Sequence, residues 1–389
     1  MPTTKIFKGL NNVSDPLRLG VSWLAQADNV DITDTGAIRK RDGYSQTFQG
    51  AITGAYSTID FARMFVVDSG VLKALTGPTS AVPLRTGLSP APMHFTEVND
   101  QVFYNNGVDR GVILPGNTVA DWDWDSPTPP TLAAVTGSLD PGTYQVCFTY
   151  TLPGGRESGA GESTSLILPE GHALQVTDIP LLAGGFTNVY IAPADSTVFQ
   201  RAFTSAGAAA FVWNDSPDNL GVELKNQFLD ALPEGSDIVQ HWKGRIYAAQ
   251  YFASDDQSAV WFSQPLGYHL FDWNTDFILV PGRVTMLAPH ADALIIGTDT
   301  RVWAYSGNKL AQLAPYGVPP GWHWTADGDR LLFWSQRGLC SALPFANLTE
   351  AHVSVRPGVQ AGGTLVQRSG HKRYLVALHS GGFGFNSYI

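Results

Sequence analysis

Asp121, Asp123 and Asp125 alternate with Trp122 and Trp124 in one short segment. Carboxylates at positions one, three and five of a loop suit calcium, because several anionic oxygens must converge on a hard cation. The rest of such a loop is missing. Its sixth position needs a glycine and holds Ser126; its twelfth needs a bidentate carboxylate and holds Leu132. The alternation therefore predicts solvent-facing aspartates and two tryptophans packed on one side of an edge strand. Glu157 and Glu162, in Gly155-Arg156-Glu157-Ser158-Gly159-Ala160-Gly161-Glu162, are a carboxylate pair of the kind glycoside hydrolysis uses. They share one glycine-rich loop beside Arg156, which reads as a salt-bridged surface turn. Trp322 and Trp324 alternate, so only one of them can face a stacked sugar.

Other chemistry lacks its parts. The sequence has no H-E-x-x-H, no paired Cys pairs, no Walker loop and no G-x-S-x-G elbow. Nine histidines are scattered without i, i+4 partners. Cys147 and Cys340 sit in apolar runs and read as buried free thiols, not as a disulfide or metal framework. No catalytic, cofactor-binding or metal-binding residue is assigned, no cofactor is expected, and the chain reads as a non-enzyme.

The elements that carry these residues are short strands. Forty glycines and 25 prolines punctuate 389 residues that are 44% hydrophobic and 11% aromatic, a composition of strands joined by tight turns. Charged residues make up only 15%, against roughly 25% in an average soluble domain, which suits a surface partly covered by neighbours. The net charge of −10 argues against a general nucleic-acid-binding surface, which needs cations to replace phosphate counterions. The opening Met1–Leu10 lacks an apolar signal core, and no apolar run approaches the ~18 residues of a membrane span. Synthesis in the cytoplasm, with no membrane segment, is the expectation.

One pattern recurs: a polar turn, an apolar-aromatic strand, a second polar step, another strand. It starts near residues 62, 102, 245, 294, 331 and 374, as in Gln101-Val102-Phe103-Tyr104, Leu294-Ile295-Ile296-Gly297 and Arg330-Leu331-Leu332-Phe333-Trp334. Most gaps are about 40–50 residues, the period of four-stranded propeller blades. One gap is about 100 residues too long. It opens with the linker Ser126-Pro127-Thr128-Pro129-Pro130-Thr131 and holds the alternating run Gly142–Thr151, a Pro153-Gly154-Gly155 turn and further short strands. About seven strands in about 100 residues predict an immunoglobulin- or fibronectin-like sandwich. The expected fold is all-β: a β-propeller of about six blades with an inserted immunoglobulin/fibronectin-like β-sandwich. Residues 1–125 form the N-terminal segment and first blades, 126–232 the insert and 233–389 the remaining blades. Leu310–Leu313 and Phe345–Glu350 are expected to form single helical turns. The Asn29–Tyr44 hairpin either completes the last blade or stands outside the ring, and the aromatic C-terminus either completes that blade or packs on a neighbour.

Three stretches carry a family resemblance. Gln26-Ala27-Asp28-Asn29-Val30-Asp31-Ile32, followed by Gly36-Ala37-Ile38-Arg39-Lys40-Arg41-Asp42-Gly43-Tyr44, resembles the opening of the tail nozzle proteins of short-tailed bacteriophages, the tail-tubular-B-like group. Tyr144–Tyr150 with Gly155-Arg156-Glu157-Ser158 is similar to the start of that group's inserted immunoglobulin-like domain, and Trp261-Phe262-Ser263-Gln264-Pro265 with Tyr268, Phe271 and Asp272 is similar to one of its propeller blades. The chain is short for the group. The resemblance implies a virion protein: a six-fold homo-oligomeric ring below an adaptor or portal protein, near tail fibres or spikes. DNA would leave through its lumen without sequence-specific binding. The alternative is a propeller-type carbohydrate- or receptor-binding protein, which needs a mouth lined by Trp, Asp and Asn from several blades.

Overall fold

The computed structural model describes residues 6–33, 35–43, 45, 50–152, 155–354, 356, 358–368, 371–379 and 387–388. Among them six antiparallel sheets follow one another along the chain as meanders. The first is Ile52–Ser57, Met64–Asp68, Val71–Leu75 and Ala81–Arg85; the second is His94–Val98, Gln101–Asn105, Arg110–Ile113 and Val119–Ala120. The third runs from Ser236–Trp242 through Arg245–Phe252 and Gln257–Gln264 to Gly267–Phe271, with Phe277–Pro281 also paired to Gln257–Gln264. The fourth is Val284–Pro289, Leu294–Thr298, Val302–Tyr305 and Leu310–Ala314. The fifth is Trp324–Asp327, Arg330–Ser335, Gly338–Ser341 and Ala346–Asn347. The sixth is Gln360–Arg368, His371–His379 and Ser387–Tyr388. This is a six-bladed β-propeller.

The second strand of each sheet is the element that the sequence repeat marks, and the packing explains why. Each such strand lies between two neighbouring sheets, so alternate side chains enter different cores. From Gln101–Asn105, Val102 and Tyr104 join Phe65, Val67 and Leu72 of the first sheet. Phe103, pointing the other way, joins Ile246 and Ala248 of the third. Tyr247 and Ala249 of that third sheet meet Leu294 and Ile296 of the fourth. Ile295 meets Leu331 and Phe333 of the fifth, and Trp334 meets Ala361, Val376 and Leu378 of the sixth. A strand buried on both faces must be apolar at every position, which produces runs such as Leu294-Ile295-Ile296 where a one-sided sheet would alternate.

The insert lies between the second and third sheets. Thr131–Thr136, His172–Thr177 and Ala210–Trp213 form one sheet; Thr164–Leu168, Gly142–Thr151, Phe186–Ala192 and Gln200–Ser205 form the other, in these spatial orders. Their facing sides share a core of Tyr144, Val146, Phe148, Leu174, Val189, Ile191 and Trp213. The insert is thus a seven-stranded, two-sheet sandwich. Numbered along the chain its sheets run 1-4-7 and 3-2-5-6, whereas an immunoglobulin constant domain pairs 1-2-5-4 and 3-6-7. Pro153 and Gly154 of the expected turn lie outside the described residues.

Two expected helical turns are strands instead. Leu310 pairs with Tyr305 and Ala314 with Val302, completing the fourth sheet, while Ala346–Asn347 pairs with Cys340 and Ser341 as the outer strand of the fifth. Sheet edges available for pairing override weak local preferences. Short 3₁₀ turns occur at Pro16–Arg18 and Pro217–Asn219, where Asp15 and Ser216 cap the first turn. No helix of the described residues is long and apolar enough to cross a membrane.

The hairpin Val30–Ile32/Ile38–Lys40 is a separate two-stranded sheet beside the last blade. Asp31 reaches Arg373 of the sixth sheet at 3.0 Å. The preceding segment exchanges two hydrogen bonds between Asn12 and Ser354, both 2.8 Å, and sets Trp23 against His352. Ser387–Tyr388 gives the sixth sheet its third strand; residues 380–386 and 389 lie outside the described set.

Phe103 is 2% exposed between two sheets, so Phe103→Ala is expected to cost about 3–5 kcal/mol of folding free energy. Val108, 75% exposed in the next turn, is expected to tolerate alanine within about 0.5 kcal/mol. Urea titration of the two variants checks the contrast.

Candidate functional site: the propeller axis and the sandwich junction

The first strands of the sheets surround a cavity of about 760 Å³, with His94, Asn106, Asp237, Arg283, Trp322 and Gln360 among its walls. Trp322, on the segment entering the fifth sheet, stacks on His94 of the second sheet at 6.0 Å and meets Tyr56 of the first at 6.1 Å. The second and fifth blades are opposite in a six-membered ring, so this indole spans the axis. A further small space of about 10 Å³ lies among His94, Val239, Leu287, Trp322 and Trp324. The axial space is therefore a cup.

Local geometry fixes the plug. A side chain on Gly321, at φ +128°, would come within 2.0 Å of the Ala361 carbonyl, so only glycine fits there. His323, which follows Trp322, is fully buried; its Nε2 lies 2.8 Å from the Pro319 carbonyl, so that nitrogen carries the proton. Tyr374 of the sixth sheet donates to the His323 carbonyl. Trp324 packs against the core between the fourth and fifth sheets and also borders the small space beside Trp322.

The polar groups of the cup are few. Arg283 approaches Asp237 at 3.3 Å, and the Ile238 N–H donates to the same carboxylate at 2.8 Å. Burial raises the Asp237 carboxyl, and Arg283 pulls it back. Desolvation pushes both His94 and His323 down to about 4, so both rings are neutral at neutral pH.

The Asp121–Asp125 segment lies at the junction with the sandwich. Trp122 is buried between the second and third sheets, and its Nε1–H donates to the Tyr268 carbonyl at 2.7 Å. Asp121 and Asp125 are exposed, as expected. Asp123 corrects the expectation: it is buried, 2.6 Å from Arg110 Nε, and accepts from the Leu232 N–H at 2.8 Å. Burial pushes its carboxyl up to about 6 against those two contacts. Among the described residues no group of three or more His, Cys, Asp or Glu is placed to hold a metal ion.

The glycine-rich loop is also structural. Arg156 donates to the carbonyls of Trp122 and Asp121, at 3.0 and 3.2 Å, and lies 4.8 Å above the Trp124 ring. It tethers sandwich to propeller and does not form the expected salt-bridged turn. The Glu157 carboxylate accepts from Tyr190 at 2.9 Å, Asn188 at 3.0 Å and Thr149. Glu162 is exposed, and neither it nor Glu157 forms an ion pair among the described residues. A side chain on Gly159 would strike the Leu229 carbonyl at 1.7 Å and one on Gly161 the Pro127 carbonyl at 2.0 Å. The loop is glycine-rich because it threads between the two linkers that join the domains. Cys147 and Cys340 are buried free thiols.

No family model and no curated protein matches the sequence. Among solved structures the chain is similar to the Kuenenia stuttgartiensis hydrazine synthase, at 9% identity over 77% of this chain and 80% of that one, with a TM-score of 0.34. It is similar to apo AztD from Citrobacter koseri at 13% identity over 78% and 86%, TM-score 0.29. It is similar to PorZ, a surface component of the type-IX secretion system of Porphyromonas gingivalis, at 12% identity over 87% and 49%, TM-score 0.25. Such scores and identities carry no argument about activity, ligand or partner.

Two predictions follow from these sites. Unfolded histidines take up protons near pH 6.5, whereas folded His94 and His323 do so only near 4. Each therefore opposes the fold as pH drops through that window, and stability should fall between pH 6.5 and 4. NMR titration of the imidazoles is expected to show no midpoint for either ring above pH 5. At the junction, Arg110→Leu leaves the Asp123 carboxylate buried without its cation and is expected to cost about 3 kcal/mol in a chemical unfolding experiment.

Proposed function

We propose that this chain is a structural virion protein of a phage tail, a subunit of a ring through whose shared lumen DNA is ejected. One observation carries the reading: a two-sheet sandwich interrupts a six-bladed propeller after its second blade, in the chain position where the nozzle-protein resemblance puts an inserted β domain. The closed axis supports it further. With Trp322 across the cup, DNA has no path through one propeller, so a conduit needs a ring of several copies. Large apolar side chains stand in solvent on the single chain, among them Leu17 at 95%, Ile59 at 82% and Phe61 at 73% exposure. Such surface suits burial between subunits. Partners would be the adaptor or portal above and fibres or spikes around the ring.

A second reading is favoured by the cup. Trp322, Asp237 and Asn106 line it from three different sheets, the set that a carbohydrate- or receptor-binding propeller requires. Electron microscopy of the purified chain separates the two. Rings with an open pore between subunits are the expected result. Single particles at every concentration, with saturable binding on a glycan array, would favour the cup instead.

A further inference from the structure

Charge is distributed very unevenly along the chain. Residues 126–232 hold ten carboxylates against three cations, so the sandwich region carries seven of the ten net negative charges. Residues 351–389 hold four cations, Arg356, Arg368, Lys372 and Arg373, and no carboxylate. The N-terminal hairpin adds Arg39, Lys40 and Arg41 to the same region. Three guanidinium groups, those of Arg373 at 3.0 Å, Arg39 at 3.5 Å and Arg41 at 3.7 Å, converge on the single carboxylate of Asp31. Asp42 follows Arg41, so the charges of the hairpin balance by count, but Lys40 is exposed with no ion pair among the described residues. Asp327 of the fifth sheet holds Lys372, and Asp31 holds Arg373; with no carboxylate in residues 351–389, the last blade and Lys40 still make a modestly basic face on an acidic protein.

The sandwich has a matching edge. Thr164–Leu168 pairs with Gly142–Thr151 on one side only. It contains no charged residue, and Ile167 stands 77% exposed on it. Unpaired strands in soluble proteins are normally guarded by lysine, proline or a bulge, because free backbone groups beside an apolar side chain invite another strand. Exposed Glu162 and Glu170 flank this one, without ion pairs among the described residues. The strand Ile38–Lys40 presents the complement: Ile38 is 42% exposed and Arg39 and Lys40 follow it.

We propose that the Thr164–Leu168 edge of one copy docks on the Ile38–Lys40 strand of the next, with Glu162 and Glu170 facing Arg39 and Lys40. The inference rests on the ring reading and names its contact. The sandwich leaves the propeller between the second and third blades, and the basic face lies at the sixth. The two surfaces are thus on different sides of one molecule. A contact between unlike surfaces repeats from copy to copy and closes into a ring when the rotation allows. A second copy fits better than nucleic acid, since residues 126–232, which hold the largest excess of carboxylates, also carry the unpaired strand.

Native mass spectrometry of the full chain over a concentration series tests this. Lys40→Glu removes no ion pair within the hairpin, and Glu162→Lys with Glu170→Lys removes none within the sandwich. Each change is expected to weaken assembly about tenfold, and the two together to return it to within about threefold of the wild type. Raising the salt should weaken the wild-type assembly and the combined variant alike. Assembly indifferent to both reversals, or a combination no better than either alone, overturns this contact and leaves the ring reading standing. A wild-type chain that stays monomeric throughout overturns both. If Lys40→Glu instead abolishes retention of a short DNA duplex while assembly is unchanged, the basic face serves nucleic acid and the contact is wrong.

Discussion

The fold depends on apolar packing between successive sheets. No blade has a core of its own. Val102 and Tyr104 belong to one neighbour and Phe103 to the other, so a blade removed from the ring would expose both faces of its second strand. Burying one such Val, Leu or Phe side chain stabilises by about 1.5–3 kcal/mol, and each blade commits several to each side. Stability is therefore a property of the sequence of contacts around the ring. Contacts of a different kind are added across the axis by an indole from the fifth blade, and beside the sixth blade by a hairpin ion pair and the reciprocal Asn12–Ser354 bonds.

The sandwich obeys a different rule. Its main core lies between its two sheets around Tyr144 and Trp213, and a smaller cluster of Cys147, Tyr190, Phe199 and Leu224 covers the outer face of the larger sheet. What holds it to the propeller is polar: Arg110 with Asp123, Arg156 with two carbonyls, Ser126 with Asp230, and His269 with the Glu157 carbonyl. These are directional bonds at fixed points. They set the angle between the two bodies more than they add to stability, because the cost of desolvating Asp123 offsets much of what its ion pair returns.

This division explains what could be read in the sequence. The six second strands were legible because two-sided burial leaves uninterrupted apolar runs, and the insert was legible because its strands alternate and its linker is rich in proline. The sandwich's strand order was not, since neighbours in a sheet are chosen by packing that leaves no local mark. The same limit applies at the sites. Asp123 and Asp121 look alike in an alternating run, yet one is buried and the other exposed; the difference is Arg110, which chain order alone does not bring beside Asp123. Arg156 stands next to Glu157 and still bonds elsewhere, because the carboxylate is already satisfied by three donors from strands across the sheet. For Trp322, the neighbouring Gly321 was the available signal: a glycine just before a strand marks a close backbone approach.

Trp322 also imposes an order on how the molecule comes into being. Its ring partners are Tyr56 and His94, more than two hundred residues earlier, so nothing can occupy the axis until most of the chain has been synthesised. During that time the inner ends of the first two blades have no partner across the ring. The sandwich, whose strands all lie between Thr131 and Trp213, can meanwhile close upon itself as soon as Trp213 emerges. The nascent chain then carries a finished acidic domain while its propeller is still open.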